Sequence, residues 1–303
     1  MEQLELFTDE AFILRVPFPE AIRIFQENYW NHLPSAKVTK AHFRRLALFF
    51  KGYFLDSISK ADIERYRRWM KEMGYAEATT NKAHMILSRI YRKFEEYKEG
   101  KTVNGVDFSR IKLPFKNPAA MVPKVSERRF ARTVFITKEQ KKILCSYADE
   151  DLSEIIDGLY WTELRPSDFF RITDKSIDLS IRVIFGIQNK TITTKNPSGV
   201  PFKVYIPNDK MEIIRRRIEN TKPGTPLFRR KNIQKRWAWV RLLAKMPFIQ
   251  MRDIRGSAAS HLLDQGIDPE TVRKTLGHTT LRMLPLYDKR PESRMMEATQ
   301  ILV

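Results

Sequence analysis

Five short clusters in the second half of the chain combine cations, proton carriers and a nucleophile. In order they are Leu164-Arg165-Pro166-Ser167-Asp168, Thr194-Lys195-Asn196, Arg252-Asp253-Ile254-Arg255, Leu276-Gly277-His278 and Tyr287. A guanidinium presents a fork of donors that matches paired anionic oxygens, which an ammonium does not reproduce. Arg165 and Arg255 could therefore hold negative charge, Lys195 and His278 could move protons, and the Tyr287 hydroxyl could attack as a nucleophile. Singly, each has a plainer reading. Arginines are commonly exposed charge, a histidine after glycine can close a helix, and a tyrosine near the end of a chain is commonly packing. Order and spacing together favour the chemical reading.

The clusters resemble the boxes of the tyrosine recombinase, or phage integrase, family. That family carries Arg in a Thr-Gly-Leu-Arg-like box, Lys in a β-hairpin, His-x-Leu-Arg, Leu-Gly-His, and Tyr nine residues after that His. Tyr287 follows His278 by nine residues here. The likeness spans about residues 137–290. It implies a site-specific DNA recombinase that cleaves and rejoins strands through a 3′-phosphotyrosine at Tyr287, without metal, ATP or other cofactor. It also implies a homotetramer on two double-stranded DNA sites.

Elementary chemistry agrees. A phosphodiester is a poor, negatively charged electrophile, and cations such as Arg165 and Arg255 stabilise its pentacoordinate transition state. By resemblance, Lys195 is the general acid for the leaving 5′ oxygen, with Lys190 and Lys203 as rivals. His278 would touch the phosphate or position Tyr287, and Asp168 would orient the cations. Arg252 stands where the family usually has His. It can donate to phosphate but cannot accept a proton at neutral pH. Glu163 replaces the usual glycine before Leu-Arg, and Gly256 a frequent His. These departures keep two further readings open: a DNA-binding protein on a recombinase scaffold, and a type IB topoisomerase-like enzyme. An RNA-binding module lacks an aromatic RNP-like strand or repeat to support it.

The elements that must position these residues are mostly helical. Apolar spacing predicts helices over Phe18–Leu33, Lys40–Phe54 and Ala61–Met73, the last capped by Ser59 and ended by Gly74. A fourth, begun by Thr79 or Thr80, runs to Tyr97 and carries Lys82, Arg89 and Lys93 as DNA contacts. Residues 1–115 thus read as a helical bundle, resembling the family's core-binding domain by pattern and position. Residues 116–133, with Pro118, Pro123, Arg128, Arg129 and Arg132, read as an extended basic linker, and 134–303 as the catalytic domain with its tail. There Thr137 caps Lys138–Ala148, and Leu152–Tyr160 leads into the first arginine box. Two β-like runs, Arg182–Ile187 and Val200–Ile206, flank the turn Asn196-Pro197-Ser198-Gly199 and place Lys195 near the hairpin tip. The expected fold is mainly α with a small antiparallel β-sheet. The resemblance implies two domains closed as a C-shaped clamp on DNA.

Charge points to a polyanion. The 303 residues hold 55 Lys+Arg against 36 Asp+Glu, a net +19. Residues 1–132 contribute +9 and 133–303 contribute +10, so both halves are basic, as a clamp around a duplex requires. Between 215 and 245 the only acid is Glu219. Arg229, Arg230, Lys231, Lys235 and Arg236 are expected on phosphates there, with Arg128 and Arg129 in the linker. Trp237 and Trp239 read as core or groove wall. Cys145, the single cysteine, rules out an internal disulfide and a cysteine-built zinc site. No Walker loop, dinucleotide fingerprint, His-Glu-x-x-His or Gly-x-Ser-x-Gly occurs. The run Asp149, Glu150, Asp151, Glu154 reads as a helix start meeting the dipole in preference to a metal site. Short apolar runs and an acidic N-terminus predict no membrane insertion and a cytoplasmic protein. The tail bearing Met295, Met296, Ala298, Ile301, Leu302 and Val303 is amphipathic, and in relatives such a segment docks on a neighbouring protomer.

Overall fold

A computed structural model describes residues 13–33, 36–100, 102–126, 132–193, 196–278 and 281–288. The chain divides into two compact units, Met1–Phe130 and Ala131–Val303. Both are dominated by helices, with one small antiparallel sheet in each, in agreement with the expected class.

The first unit packs α1 (Phe18–Asn28), α2 (Ala36–Phe49), α3 (Lys60–Glu72) and α4 (Glu77–Lys98), followed by the hairpin β1 (Thr102–Val103) and β2 (Val106–Asp107). Phe18, Phe25, Trp30, Phe50, Tyr66 and Phe94 fill its core. The α1 helix stops five residues short of the predicted end. Its continuation, Trp30–His32, tightens into a 3-10 turn that buries Trp30, whose indole N–H donates to Thr39 Oγ1 at 2.6 Å. Ser59 caps α3 as expected, in a reciprocal box with Asp62. The predicted cap of α4 is a correction. That helix begins after Ala76, and Thr80 lies inside its first turn with its hydroxyl on the Ala76 carbonyl.

The expected linker is also shorter at its start, because α4 presents polar groups that bind the extended chain. Asn117 donates to the Ser88 carbonyl at 2.9 Å, His84 Nε2 meets the Ala119 carbonyl at 2.7 Å, and Asn81 donates to the Val125 carbonyl at 2.8 Å. Ala119 and Val122 join the first core.

The second unit begins with α5 (Lys138–Ser146), capped by Thr137 in a box with Gln140, and α6 (Glu150–Thr162), capped by Asp149. A short α7 (Pro166–Phe169) leads to β3 (Ile177–Asp178), β4 (Val183–Ile187) and β5 (Pro201–Tyr205). Their antiparallel order is β3-β4-β5, with Ile184 opposite Ile177 and Val204. The two predicted strands are β4 and β5; β3 is too short to show an alternating pattern. Then come α8 (Met211–Glu219), α9 (Ile233–Leu243), α10 (Met251–Asp264) and α11 (Pro269–Thr275), and a 3-10 segment over Leu281–Leu286 ends beside Tyr287. Ile155, Leu159, Phe169, Trp237 and Ile254 pack the main core, and Tyr287 lies half-buried against Ala259, Leu263, Val272, Leu276 and Leu284.

Candidate active site

The site is assembled where the ends of α6 and β4 meet α10 and α11. Glu163 ends α6 in a left-handed conformation, φ 53°, which turns the chain so that Arg165 opens α7 with Pro166 at its first position. Arg165 Nη1 donates to Gln188 Oε1 at 2.5 Å, and Gln188 Nε2 donates to the Gly277 carbonyl at 2.8 Å. Gln188 is buried at the end of β4 and thus bridges the first box to the Leu-Gly-His box. Asp168 sits behind Arg165, 4.0 Å away, with one carboxylate oxygen accepting the Asn189 N–H at 2.8 Å.

Arg255 projects from the middle of α10 and is 4% exposed. Its guanidinium donates to the Glu163 carbonyl at 2.5 Å and the Leu276 carbonyl at 2.6 Å, and approaches His278 Nε2 at 3.4 Å. Among the described residues no carboxylate forms an ion pair with it. Burial and the nearby Arg165 charge push the Arg255 guanidinium down to about 10, so it remains a cation at neutral pH.

His278 follows Gly277, whose φ of +59° turns the chain out of α11. Its backbone is fixed twice by Arg273, whose carbonyl accepts the His278 N–H at 3.0 Å and whose guanidinium donates to the His278 carbonyl. Burial, then Arg255, Arg165, Arg273 and Lys190, push the imidazole down to about 4, so it is neutral at pH 7. Its ring packs on Tyr287, with centroids 4.5 Å apart, and the Arg255 guanidinium carbon lies 5.5 Å from the Tyr287 ring centre. Ser260 Oγ holds the Tyr287 carbonyl at 2.9 Å.

Arg165, Asp168, Arg255, His278 and Tyr287 are therefore brought together. Arg252 is exposed one turn before Arg255 and lines a groove of about 470 Å³ with Pro166, Phe170, Arg230, Trp237 and Arg241. Lys195 lies outside the described residues, as do Arg128, Arg129 and the tail after Asp288. Of the rival lysines, Lys190 is among the charges depressing His278, whereas Lys203 lies over the Tyr205 ring at 4.9 Å. Gln188, Thr275 and Arg273 were not anticipated from sequence, since nothing local marks a residue whose partners lie on other elements.

One of the basic residues expected on phosphates is already paired. Arg236 is held by Asp149 and Asp151, while Arg216 and Arg217 are held by Glu150, Asp151 and Glu154. The acidic start of α6 thus meets arginines as well as the helix dipole, and Arg236 is occupied. Arg229, Arg230, Lys231 and Lys235 are exposed. On α4, Lys82 is exposed, Arg89 lies 5.6 Å from the Trp30 ring centre, and Lys93 covers the Tyr29 ring and pairs with Glu96 at 2.5 Å. Trp237 is core, and Trp239 is 62% exposed.

A profile of the phage integrase family matches residues 134–293. Among curated relatives, tyrosine recombinase XerA of Pyrococcus furiosus is 24% identical over 84% of this chain and 86% of its own length. XerD of Shewanella oneidensis is 22% identical over 89% of each. The fold is similar to that of the Tn1549 transposon integrase solved with circular intermediate DNA (TM-score 0.68, 16% identity, 95% of this chain and 100% of that one). It is also similar to that of lambda integrase solved as a tetramer on a Holliday junction (TM-score 0.67, 14% identity, 92% and 79%). The chain belongs to the phage integrase family of tyrosine recombinases. Among the described residues, no helix is long and apolar enough to cross a membrane.

Proposed function

We propose that this recombinase cleaves and rejoins double-stranded DNA at specific sites through Tyr287. The convergence of Arg255, His278 and Tyr287 carries the reading. In the proposed reaction the Tyr287 oxygen attacks the scissile phosphorus, and the bond from phosphorus to the 5′ oxygen breaks. Its electron pair leaves on that oxygen, which takes a proton from Lys195. A 3′-phosphotyrosine remains, and its retained bond energy lets the reverse attack by a 5′ hydroxyl reseal the strand without ATP.

Arg165 and Arg255 neutralise the non-bridging oxygens, the role a metal ion would otherwise play. Arg252, exposed beside them, contributes a further donor to the phosphate and no base. The neutral imidazole of His278 has one unprotonated ring nitrogen at pH 7, and an arriving phosphate offsets the cations that depress it. His278 can then accept the Tyr287 proton. Lys82, Arg89, Lys93, Arg128, Arg129, Arg229, Arg230, Lys231 and Lys235 would hold flanking phosphates, and four protomers would assemble on two sites, in keeping with the lambda integrase tetramer bound to a Holliday junction. A cytoplasmic location suits a DNA-acting enzyme.

The test is a nicked suicide duplex taken from DNA flanking the gene, incubated with wild type and Tyr287→Phe. Denaturant-stable protein–DNA adducts in wild type alone support the reading. Binding without any adduct would favour a DNA-binding protein on this scaffold, and relaxation of plasmid lacking a target site would favour the topoisomerase-like enzyme.

A further inference from the structure

Glu163 is an expensive residue for its place. A left-handed backbone at a non-glycine residue costs about 1 kcal/mol, and its side chain is buried, at 6% exposure. Glycine would meet the backbone requirement with no penalty. Strain of this kind persists where the surroundings over-determine it, and Glu163 is held from two sides. Its carboxyl accepts a hydrogen bond from Thr275 Oγ1 at 2.9 Å, at the last residue of α11, three before His278. Its own carbonyl accepts from Arg255 Nη1 at 2.5 Å. Arg255 in turn donates to the Leu276 carbonyl, the residue after Thr275. One residue therefore closes a loop of contacts through α6, α10 and α11 behind the arginine and histidine of the site.

We propose that Glu163 is a positioning residue of the recombination site, seating Arg255 with its carbonyl and clasping α11 with its carboxyl, and that the carboxyl's proton sets how much positive charge the site offers to phosphate. The inference rests on the recombinase reading above and deepens it. Burial raises the Glu163 carboxyl to about 7, against the lowering effects of Thr275 and Arg255. The charged or titratable groups coupled to it are Arg255 from α10 and, on its own helix, Tyr160; α11 contributes the uncharged Thr275 hydroxyl. When neutral, the carboxyl leaves the charge of Arg255 uncompensated, while its guanidinium stays seated on the two carbonyls. Once ionised, its negative charge offsets that of Arg255 through space and lowers the positive charge the site offers.

The experiment compares wild type with Glu163→Gln, which keeps shape and hydrogen bonding but cannot ionise. Adduct formation on the suicide duplex is timed at pH 6 and pH 8. Affinity for the same duplex is measured by anisotropy in the Tyr287→Phe background with and without Glu163→Gln. The ratio of variant to parent is expected near one at pH 6 and on the order of fivefold in favour of Glu163→Gln at pH 8, because common pH effects cancel. Thr275→Val, which removes one lowering contact, should move the midpoint of the wild-type profile upward. A ratio constant across pH, or an unmoved midpoint with Thr275→Val in a protein of native melting behaviour, overturns the proposal. Failure of the recombinase reading shows separately, as bound DNA without adduct, and the affinity ratio still decides.

Discussion

The imidazole of His278 lies against the phenol of Tyr287 with ring centres 4.5 Å apart and planes at 54°. Histidine therefore walls the proposed nucleophile on one side while Arg255 approaches it on another. His278→Ala should lower the adduct rate on the order of 10²-fold, with a smaller change in DNA affinity. Single-turnover kinetics beside a binding titration checks this; equal losses in both would mean His278 serves binding alone.

His278 and Glu163 give opposite slopes of stability against pH. The folded His278 is depressed to about 4, so stability it supports at neutral pH is lost as pH falls below the unfolded value of 6.5, by roughly 3 kcal/mol at most. Folded Glu163 is raised to about 7, so its burial costs stability above that pH and the cost is relieved as pH falls toward 4.5. The two effects largely offset in wild type between pH 6.5 and 4.5. Glu163→Gln should therefore melt progressively lower on acidification, relative to wild type, and His278→Gln progressively higher. Thermal unfolding at pH 7 and pH 5 reads both signs.

The two arginines should separate in their effect on stability. Arg165→Lys leaves a partly exposed site with little structural cost, under about 1 kcal/mol, yet should lose roughly 10²-fold or more in adduct formation because the forked geometry goes. Arg255→Ala strands the buried carbonyls of Glu163 and Leu276 and should cost about 2–4 kcal/mol of unfolding free energy as well. Denaturant titration beside adduct yield distinguishes them.

If about eight phosphates are neutralised, log affinity should fall against log salt with a slope near −7. Arg229→Gln, Lys231→Gln and Lys235→Gln should each reduce that slope by about one. Arg236→Gln should leave it unchanged, since its guanidinium is already bound by Asp149 and Asp151. A slope reduced by Arg236→Gln would show that DNA displaces those carboxylates.

The boxes of the candidate site were legible because each is a local string of residues whose spacing the chemistry restricts, and the fold brings Arg165, Arg255, His278 and Tyr287 together. Helix starts with side-chain caps, at Ser59 and Thr137, were legible for the same local reason. What escaped depended on distant partners. Arg236 looked free because the acids that hold it precede it by more than eighty residues. Residues 117–125 looked like open linker because Asn81, His84 and Ser88, which bind them, carry no sign of that role on their own helix. Glu163 read as a mere departure until its φ and its two clasps were seen together.

The bridge from Arg165 through Gln188 to Gly277 ties residues that descent could otherwise change separately. A β-carbon at position 277 would stand 2.2 Å from the Gln188 amide nitrogen, in a backbone conformation that already disfavours one. A side chain there would have to push the Gln188 amide aside, and with it the oxygen that accepts from Arg165. The small residue at 277 is thus part of what keeps the first arginine in place, although it touches no substrate itself.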